Sequence, residues 1–404
     1  MLKKYLIPSL FYLIVTLVTG CWIRLQWADP SMMVFNPKFL IHSHSHVAML
    51  GWLFLALAGL IARYGMTESG RRQMGNPVYL ALLHFSIGGM TIAFALQGYA
   101  FYSILLSTLF ILLSLWFAII YFRHENPDVC SLTRNFLNAA VFWMVFSSVG
   151  PLALAGGTMM GPDWIRAWVA FYLHLQFNGW ITFALIGLII AFLDKNNISI
   201  NRRSGTVAFW LLFAGLLPSI EPMVREFTDS KVLLYAGIAG SFAVFAGSLV
   251  IGAKLFKRSG DRIRHQKALF FTAVIALLFK SLFHAFASLP GIGEGLIATR
   301  YFAIGFVHLL LLGFASMAVI WLITVPAISS PRNNLISYGT WIFVSGAISM
   351  ILLLFAFGMY QYLLVPIFLP VQWILLGTGL VTLSGGCIIL YNLIHKSSFP
   401  ENPS

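Results

Sequence analysis

The chain has 404 residues, of which 59% are hydrophobic and only 9% are charged, and its formal net charge is +13. These fractions exclude an ordinary soluble domain, in which about a quarter of the residues are charged. A basic excess can indicate nucleic-acid binding, but here the lysines and arginines fall in short segments between apolar runs. We therefore expect a membrane protein with lipid as its surroundings and no nucleic-acid partner.

Long apolar runs follow one another along the whole sequence. A helix needs about 20 apolar residues to cross a bilayer, and about twelve runs reach that length. No segment between them is long enough for a soluble domain, so the sequence predicts an all-α polytopic membrane protein with a single transmembrane helical domain over 1–404. The predicted spans are roughly 5–26, 40–64, 77–98, 100–122, 135–158, 165–193, 206–225, 231–253, 267–290, 299–325, 335–358 and 363–394.

The basic residues give the expected orientation. If the N-terminus is cytoplasmic, most of the 25 lysines and arginines lie in the inner segments. Cytoplasmic loops carry such an excess, so both termini are predicted to be cytoplasmic. The basic run Lys254–Lys267 is expected to attract anionic lipid head groups.

Three histidines at every second position, His42, His44 and His46, begin the second apolar run. Imidazole is rare in membrane segments, and an ionisable side chain there is a functional-site hypothesis by default. Neutral imidazole is also a common ligand of iron and copper. This cluster is therefore the first candidate for a binding site.

Four other spans bring polar groups to the same outer half of the membrane. At 1.5 Å per residue, His174 and His308 lie about 14 Å below the outer ends of their spans. His284 lies about two turns, and Glu221 about one turn, below theirs. This shared layer indicates a bound cofactor. The alternative is a set of interhelical hydrogen bonds, each contributing about 0.6 kcal/mol.

Lys280 lies in the middle of the ninth run and precedes His284 by four residues, so the two share a helix face. Two interpretations stay open. Lys280 is either a structural ion-pair or snorkelling residue, or a polar step on a proton path or a partner for a haem propionate.

Two segments carry a similar local pattern. His46 and His308 are each followed five residues later by a glycine and then an aromatic residue, Gly51-Trp52 and Gly313-Phe314. Glycine allows a helix to approach a neighbour closely. Two such histidines on facing helices would bind one haem iron from both sides, leaving no open coordination position.

With these motifs the chain resembles subunit I of the haem–copper oxidases, particularly cbb3-type oxidases and nitric oxide reductases. Ile304-Gly-Phe-Val-His308 is similar to the haem-binding motif of the tenth helix. Tyr172-Leu-His174 is similar to the sixth-helix segment that supplies a copper ligand. The resemblance implies a twelve-helix bundle of the subunit I type in a bacterial inner membrane. It implies a low-spin haem b held by His46 and His308, with His44 as the next candidate, and a cytochrome c or other electron-donor subunit as partner.

The departures from that family concern the dioxygen-reducing centre. The family's tenth helix carries His-x-His, but here the first position is Phe306. The family's seventh helix carries a histidine pair, whereas the matching region here is Leu217-Pro-Ser-Ile-Glu221. Phenylalanine cannot bind iron. We therefore expect the low-spin haem site to be kept and the second centre to be lost or rebuilt.

A rebuilt centre would draw on nitrogen and oxygen ligands that suit copper, non-haem iron or zinc. Nitric oxide reductases use non-haem iron with a glutamate nearby. The chain also resembles the haem- and copper-containing membrane proteins of the nitric oxide stress response in length and helix count. The candidate metal ligands are His42, His174, His284 and Glu221.

Three functions remain open at this point. The first is a haem b protein that transfers electrons. The second is an oxidoreductase acting on nitric oxide or dioxygen, which requires a vacant coordination position and whose catalytic residues the sequence does not identify. The third is a copper or zinc transporter or sensor that uses His42, His44 and His46 at an outer mouth, although transporters usually have internal repeats stronger than the two short segments above.

Overall fold

The computed structural model describes residues 1–156, 161–227, 230–259, 267–325, 334–366 and 370–395. These residues form helices joined by short connections, and no β-strand occurs among them. Eleven of the helices are long and apolar enough to cross a membrane, and two shorter helices bent by 51° together make a twelfth span. The protein is therefore an all-α polytopic membrane protein, as the sequence predicts.

The spans are numbered 1 to 12 in chain order. Their bounds are Lys3–Ala28, Pro37–Gly65, Pro77–Gln97, Phe101–Arg123, Ser131–Leu154, Pro162–Lys195, Arg202–Leu216 with Pro218–Phe227, Lys231–Lys257, Lys267–Ala287, Arg300–Thr324, Leu335–Tyr362 and Val371–His395. Two short α-helices, Glu68–Met74 and Ile292–Ala298, lie between spans. The end of the bundle where span 2 begins is called the histidine side, and the end where span 1 begins is called the basic side.

The predicted spans agree with these bounds to within a few residues, with one larger difference at span 12. Its apolar run begins at 363, but the helix begins at Val371. Pro366 and Pro370 cannot donate the main-chain hydrogen bonds that a helix interior needs, and Leu364 has a φ of +55°. Residues 157–158 of the predicted fifth span, and 260–266 of the basic run, lie outside the described residues.

Spans 2, 6 and 10 form the centre of the bundle. In their most apolar stretches 83%, 94% and 83% of the residues are buried, whereas the other continuous spans bury 39–56%. A helix that is apolar on every side is suited to burial on every side. Spans 2 and 6, and spans 6 and 10, touch in the half of the bundle toward the basic side, whereas spans 2 and 10 touch nearer its middle.

The other nine spans surround this centre. Neighbours in the ring follow the order 1, 3, 4, 5, 7, 8, 9, 11, 12 and back to 1, with spans 1 and 3 meeting through Tyr12 and His84. Each central span is thus the second member of four consecutive spans, so the chain makes three four-span units of similar plan. Along the ring, the units meet between spans 4 and 5, 8 and 9, and 12 and 1, and the central spans add further contacts between units.

Span 7 is broken near the histidine side. Pro218 and Pro222 have no N–H, so neither can complete a helical hydrogen bond. The chain instead makes a 3₁₀ turn over Pro218–Ile220, in which Ile220 N–H bonds to Leu217 O at 3.2 Å. Main-chain carbonyls at this break need donors from elsewhere, because the membrane interior supplies no water.

Candidate functional site

Each central span changes to a π-helix directly after a histidine. The π-helical segments are Val47–Phe54, Leu175–Ile181 and Leu309–Ser316, and they follow His46, His174 and His308. In all three the histidine is followed five residues later by glycine and then an aromatic residue. The pattern noted in spans 2 and 10 therefore occurs a third time, in span 6, as His174 with Gly179-Trp180. π-Helical turns occur mostly as short insertions, often at functional sites.

The glycine of each copy is a point of close packing between the central span and its ring neighbours. A Cβ added at Gly51 would lie 2.9 Å from Tyr12 of span 1, and one added at Gly179 would lie 2.6 Å from Trp143 of span 5. At Gly313 the nearest atom, of Ile351 in span 11, is 3.0 Å away. The glycine of each repeat therefore allows close helix packing. The histidine lies five residues before it, about one π-helical turn away.

A cavity of about 500 Å³ opens between the first and third four-span units. Its walls come from spans 1, 2, 10, 11 and 12 and are mostly apolar. His44 and His308 face it from different spans, and Trp52 and Ser316, joined by a 2.8 Å hydrogen bond, lie at its inner end. Cofactor sites commonly have this size and this combination of apolar walls and few polar groups.

The hydrogen bonds of the two histidines fix which ring nitrogen carries the proton. His308 Nδ1 lies 2.8 Å from Ile304 O, and His44 Nδ1 lies 2.9 Å from Thr16 O. Because a carbonyl oxygen can only accept, each Nδ1 carries the proton, and each Nε2 keeps its lone pair. Among the described residues neither Nε2 has a hydrogen-bond partner. Metal-binding histidines usually have this arrangement, with the second nitrogen donating to a carbonyl or carboxylate.

Span 1 shapes the His44 side of the cavity. A Cβ added at Gly20 would lie 3.0 Å from His44 Cε1, so glycine makes room for the imidazole against the helix. Thr19 Oγ1 lies 3.2 Å from His44 Nδ1 and adds a second polar neighbour. Sequence reasoning missed these span 1 residues, because small residues in an apolar run carry no chemical signal.

Two guanidinium groups lie at the mouth of the cavity on the histidine side. Arg24 is only 8% exposed and donates to Gln372 Oε1 at 3.1 Å. The guanidinium carbons of Arg24 and Arg300 lie 5.4 and 4.8 Å from the Trp27 ring centroid. Within the described part of the chain neither arginine forms an ion pair. A cation pair without carboxylates, at the mouth of an apolar cavity, favours an anionic ligand.

His46 and His42 lie on the other face of span 2, because residues two apart on a helix point in nearly opposite directions. The His46 ring stacks on Phe94 at 4.1 Å between centroids, and its Nδ1 donates to His42 O at 2.8 Å. The His42 ring packs against Tyr99 at 4.7 Å. Neither ring lines the cavity that His308 faces, so the structure brings together His44 and His308 rather than His46 and His308.

His174 and His284 form a second pair, with ring centroids 5.6 Å apart. His174 Nε2 donates to Leu216 O and His284 Nε2 to Ser219 O, both at 2.8 Å. Both acceptors belong to the broken part of span 7. Pro222 has no N–H to give Ser219 O in a 3₁₀ turn, so the His284 imidazole supplies that bond. His174 Nδ1 has Asn178 Nδ2 as a donor at 3.2 Å.

Glu221 is buried beside this break and held by Arg225. Arg225 Nε and Nη2 each lie 2.8 Å from one Glu221 oxygen. Arg225 also donates to Ser288 O at 2.6 Å and to Glu294 Oε1 at 3.1 Å. Glu294 itself lies outside the spans. The pKa of its carboxyl is lowered by hydrogen bonds from its own main-chain N–H, from Arg225 and from Gly291 N–H. Both oxygens of Glu221 are thus engaged by a cation.

Lys280 is 1% exposed, and its Nζ donates to Thr182 Oγ1 at 3.2 Å. Thr182 in turn donates to Phe177 O in the π-helical segment of span 6. Within the described residues Lys280 forms no ion pair, and it does not line the cavity. The contacts of Lys280 therefore support neither a structural ion pair nor a role as partner of a haem propionate. A role of Lys280 in proton transfer stays a hypothesis.

Phe306 belongs to a phenylalanine cluster between spans 9, 10 and 11. Its ring centroid lies 5.7 Å from Phe283, which lies 5.9 Å from Phe302 and 5.4 Å from Phe355. The Phe306 ring also lies 6.3 Å from His284. Aromatic side chains thus pack around Phe306, which itself has no atom that binds a metal.

No three His, Cys, Asp or Glu side chains gather closely enough to hold a metal ion among the residues that the structure describes. Of the candidate metal ligands, His174 and His284 lie together, Glu221 lies near them but is bound by Arg225, and His42 lies apart beside Tyr99. A metal ion held by all four stays an untested prediction. Compared with known proteins, the chain matches no family model and no curated protein.

Proposed function

We propose that this protein is a membrane haem protein that holds one low-spin haem b between spans 2 and 10 and transfers electrons. The observation that carries the proposal is the tautomer of His44 and His308. Two imidazoles from different spans each keep an Nε2 lone pair facing one apolar cavity, with Nδ1–H bonded to a main-chain carbonyl. Two neutral imidazoles on opposite faces of a porphyrin give a low-spin iron.

The other groups at the cavity fit the same cofactor. A haem b has an apolar macrocycle with two carboxylates at one edge. The apolar walls suit the macrocycle, and the guanidinium groups of Arg24 and Arg300 suit the two carboxylates, because arginine pairs well with carboxylate oxygens. Gly20 gives the His44 ring its place beside span 1.

His44 replaces His46 as the span 2 ligand in this proposal. His46 also donates from Nδ1 to a carbonyl, but its ring stacks on Phe94 on the opposite face of the helix. Helix geometry cannot bring both rings to one iron, and only His44 shares the cavity with His308.

A bound haem b would supply a one-electron carrier whose iron has no vacant position. The chain's own residues hold the imidazoles neutral and oriented, exclude water with apolar walls, and offset the carboxylate charge with two arginines. Nothing in this arrangement provides a place for dioxygen or nitric oxide to bind iron. We therefore favour electron transfer over a reductase, and an electron-donating subunit or a cytochrome c as the redox partner.

The location and orientation in the membrane are also proposals, and they rest on the distribution of basic residues. We infer a bacterial inner membrane, with the basic side and both termini in the cytoplasm, because cytoplasmic loops are rich in lysine and arginine. Descent from haem–copper oxidase subunit I is likewise a proposal. It is supported by twelve spans and by the histidines of spans 2, 6 and 10.

The test is the visible spectrum of the full-length protein purified in detergent from haem-replete cells. We expect a sharp low-spin b-type spectrum, one haem per chain, and no change when carbon monoxide is added to the reduced protein. H44A and H308A should each lose this spectrum. The matched variant H46A, on the opposite face of the same helix turn, should keep it.

Three results would overturn parts of the proposal. A colourless preparation would exclude the haem. Loss of the spectrum in H46A but not in H44A would return the ligand role to His46. A carbon monoxide adduct would reveal an open coordination position and so favour the nitric oxide or dioxygen reductase.

A further inference from the structure

A second, polar pocket lies on the basic side, between the ends of spans 7 and 8. Its volume is about 210 Å³, and it is lined by Asn201, Ser204, Lys254 and Lys257. The two spans pack closely along their length, and the pocket lies where they reach the membrane surface. It is far along the bundle from the His44–His308 cavity and independent of any haem.

The lining groups suit an anion with several oxygens. Lys254 and Lys257 lie one turn apart on span 8, so both ammonium groups can reach the same ligand. Asn201 Oδ1 accepts from Ser204 N–H at 3.1 Å, which leaves the amide N–H₂ of Asn201 to donate outward. Within the described residues none of the four lining side chains pairs with a carboxylate.

The surroundings distinguish a lipid from a free anion. On the same two spans, nearer the middle of the membrane, Val207 is 47% exposed, Trp210 56% and Leu249 43%. Exposed apolar side chains next to a cationic pocket match acyl chains next to a phosphate. Basic pockets between spans on the cytoplasmic side often bind anionic head groups.

We propose that this pocket binds the phosphate head group of an anionic phospholipid, whose acyl chains lie along the exposed apolar side chains of spans 7 and 8. The basic run Lys254–Lys267 predicted such an attraction in general. The pocket assigns this attraction to Lys254 and Lys257 of the basic run, together with Asn201 and Ser204 of the neighbouring span.

The experiment compares lipid binding by the full-length protein in detergent, using native mass spectrometry with added phosphatidylglycerol or phosphatidylcholine. We expect phosphatidylglycerol to be retained and phosphatidylcholine to be lost. Because a lysine near anionic lipid contributes about 1 kcal/mol, K254Q/K257Q should weaken phosphatidylglycerol binding roughly 30-fold. The matched control K3Q/K4Q removes the same charge from two exposed lysines on the same side of the bundle and should have little effect.

Equal retention of the two lipids, or equal weakening by K3Q/K4Q and K254Q/K257Q, would overturn the proposal, because it would show only general attraction to charge. A further arm adds inorganic phosphate alone. If phosphate raises the unfolding temperature as much as phosphatidylglycerol does, the pocket is a site for small anions and the lipid assignment is wrong.

Discussion

The His44–His308 cavity and the His174–His284 pair lie in the same half of the bundle but use opposite ring nitrogens. In the cavity, each Nδ1 donates to a carbonyl one helical turn away or on the adjacent span, and each Nε2 has no partner among the described residues. In the second pair each Nε2 donates to a carbonyl of broken span 7. The two pairs thus differ in which nitrogen keeps a lone pair and in whether the ring lines an open cavity, as only His44 and His308 do.

This difference has a structural origin in the spans that each pair faces. Span 1 is continuous beside His44, so Thr16 O accepts from His44 Nδ1 in addition to its helical donor, and a cavity remains next to the ring. Span 7 contains two prolines, and its break turns carbonyls toward spans 6 and 9. His174 and His284 donate to carbonyls of that break, and neither lines the cavity.

The largest expected effect separates the two pairs by ligand replacement. H308G should lose the haem spectrum completely, and added imidazole should restore it, because the free base can enter the space left by the side chain and offer its own lone pair. H284G, treated identically, should keep the spectrum with or without imidazole. Visible spectroscopy checks both. An unchanged spectrum in H308G, or an equal loss in H284G, would contradict the distinction drawn between the pairs.

A smaller effect is expected on stability. H284L removes the donor to Ser219 O and leaves a buried carbonyl unsatisfied, which should lower the free energy of unfolding by about 1–3 kcal/mol. Thermal or denaturant unfolding in detergent measures this loss, and haem content should not change. H84L is the control, since the His84 ring packs against Tyr12 and donates to no broken helix. An equal loss in both variants would mean that His284 has no special role at the break.

The smallest effect is expected at Lys280, which lies beside the second pair. K280M removes a buried cation that has one hydroxyl partner and no carboxylate partner among the described residues. Replacing a buried charge by an apolar side chain of similar length is often neutral or stabilising. We therefore expect the unfolding temperature to be unchanged or raised. A loss of more than about 2 kcal/mol would indicate that the ammonium group has a partner that matters for the fold.

The twelve spans could be predicted from the sequence, because apolar runs of membrane-spanning length leave little choice of structure in a bilayer. The start of span 12 was predicted too early, at 363. Hydropathy counts only apolar residues, and it does not take account of Pro366 and Pro370, which exclude a helix before Val371. For span 7 the sequence placed Glu221 about one turn from the end of the span, and the break lies beside that residue. Its consequence, two histidines donating to freed carbonyls, depends on how three spans pack.

The site was predicted in part. Spacing identified spans 2 and 10 as the source of paired imidazoles, and the cavity lies between them. It favoured His46 over His44, whereas the ring that shares the cavity with His308 is that of His44, because this depends on how span 2 is rotated about its axis. The mouth arginines were also missed, because Arg24 and Arg300 are distant in sequence and meet only when the first and last four-span units close on each other.

That closure has a consequence for how the protein is made. The cavity takes its walls from spans 1 and 2 at the beginning of the chain and from spans 10, 11 and 12 at its end. While the ribosome is still synthesising the last third, the first two spans expose an unfinished wall to lipid. A haem held there, as proposed, could be captured only after translation is nearly complete, and a chain truncated before span 10 would lack His308, one of the two proposed ligands.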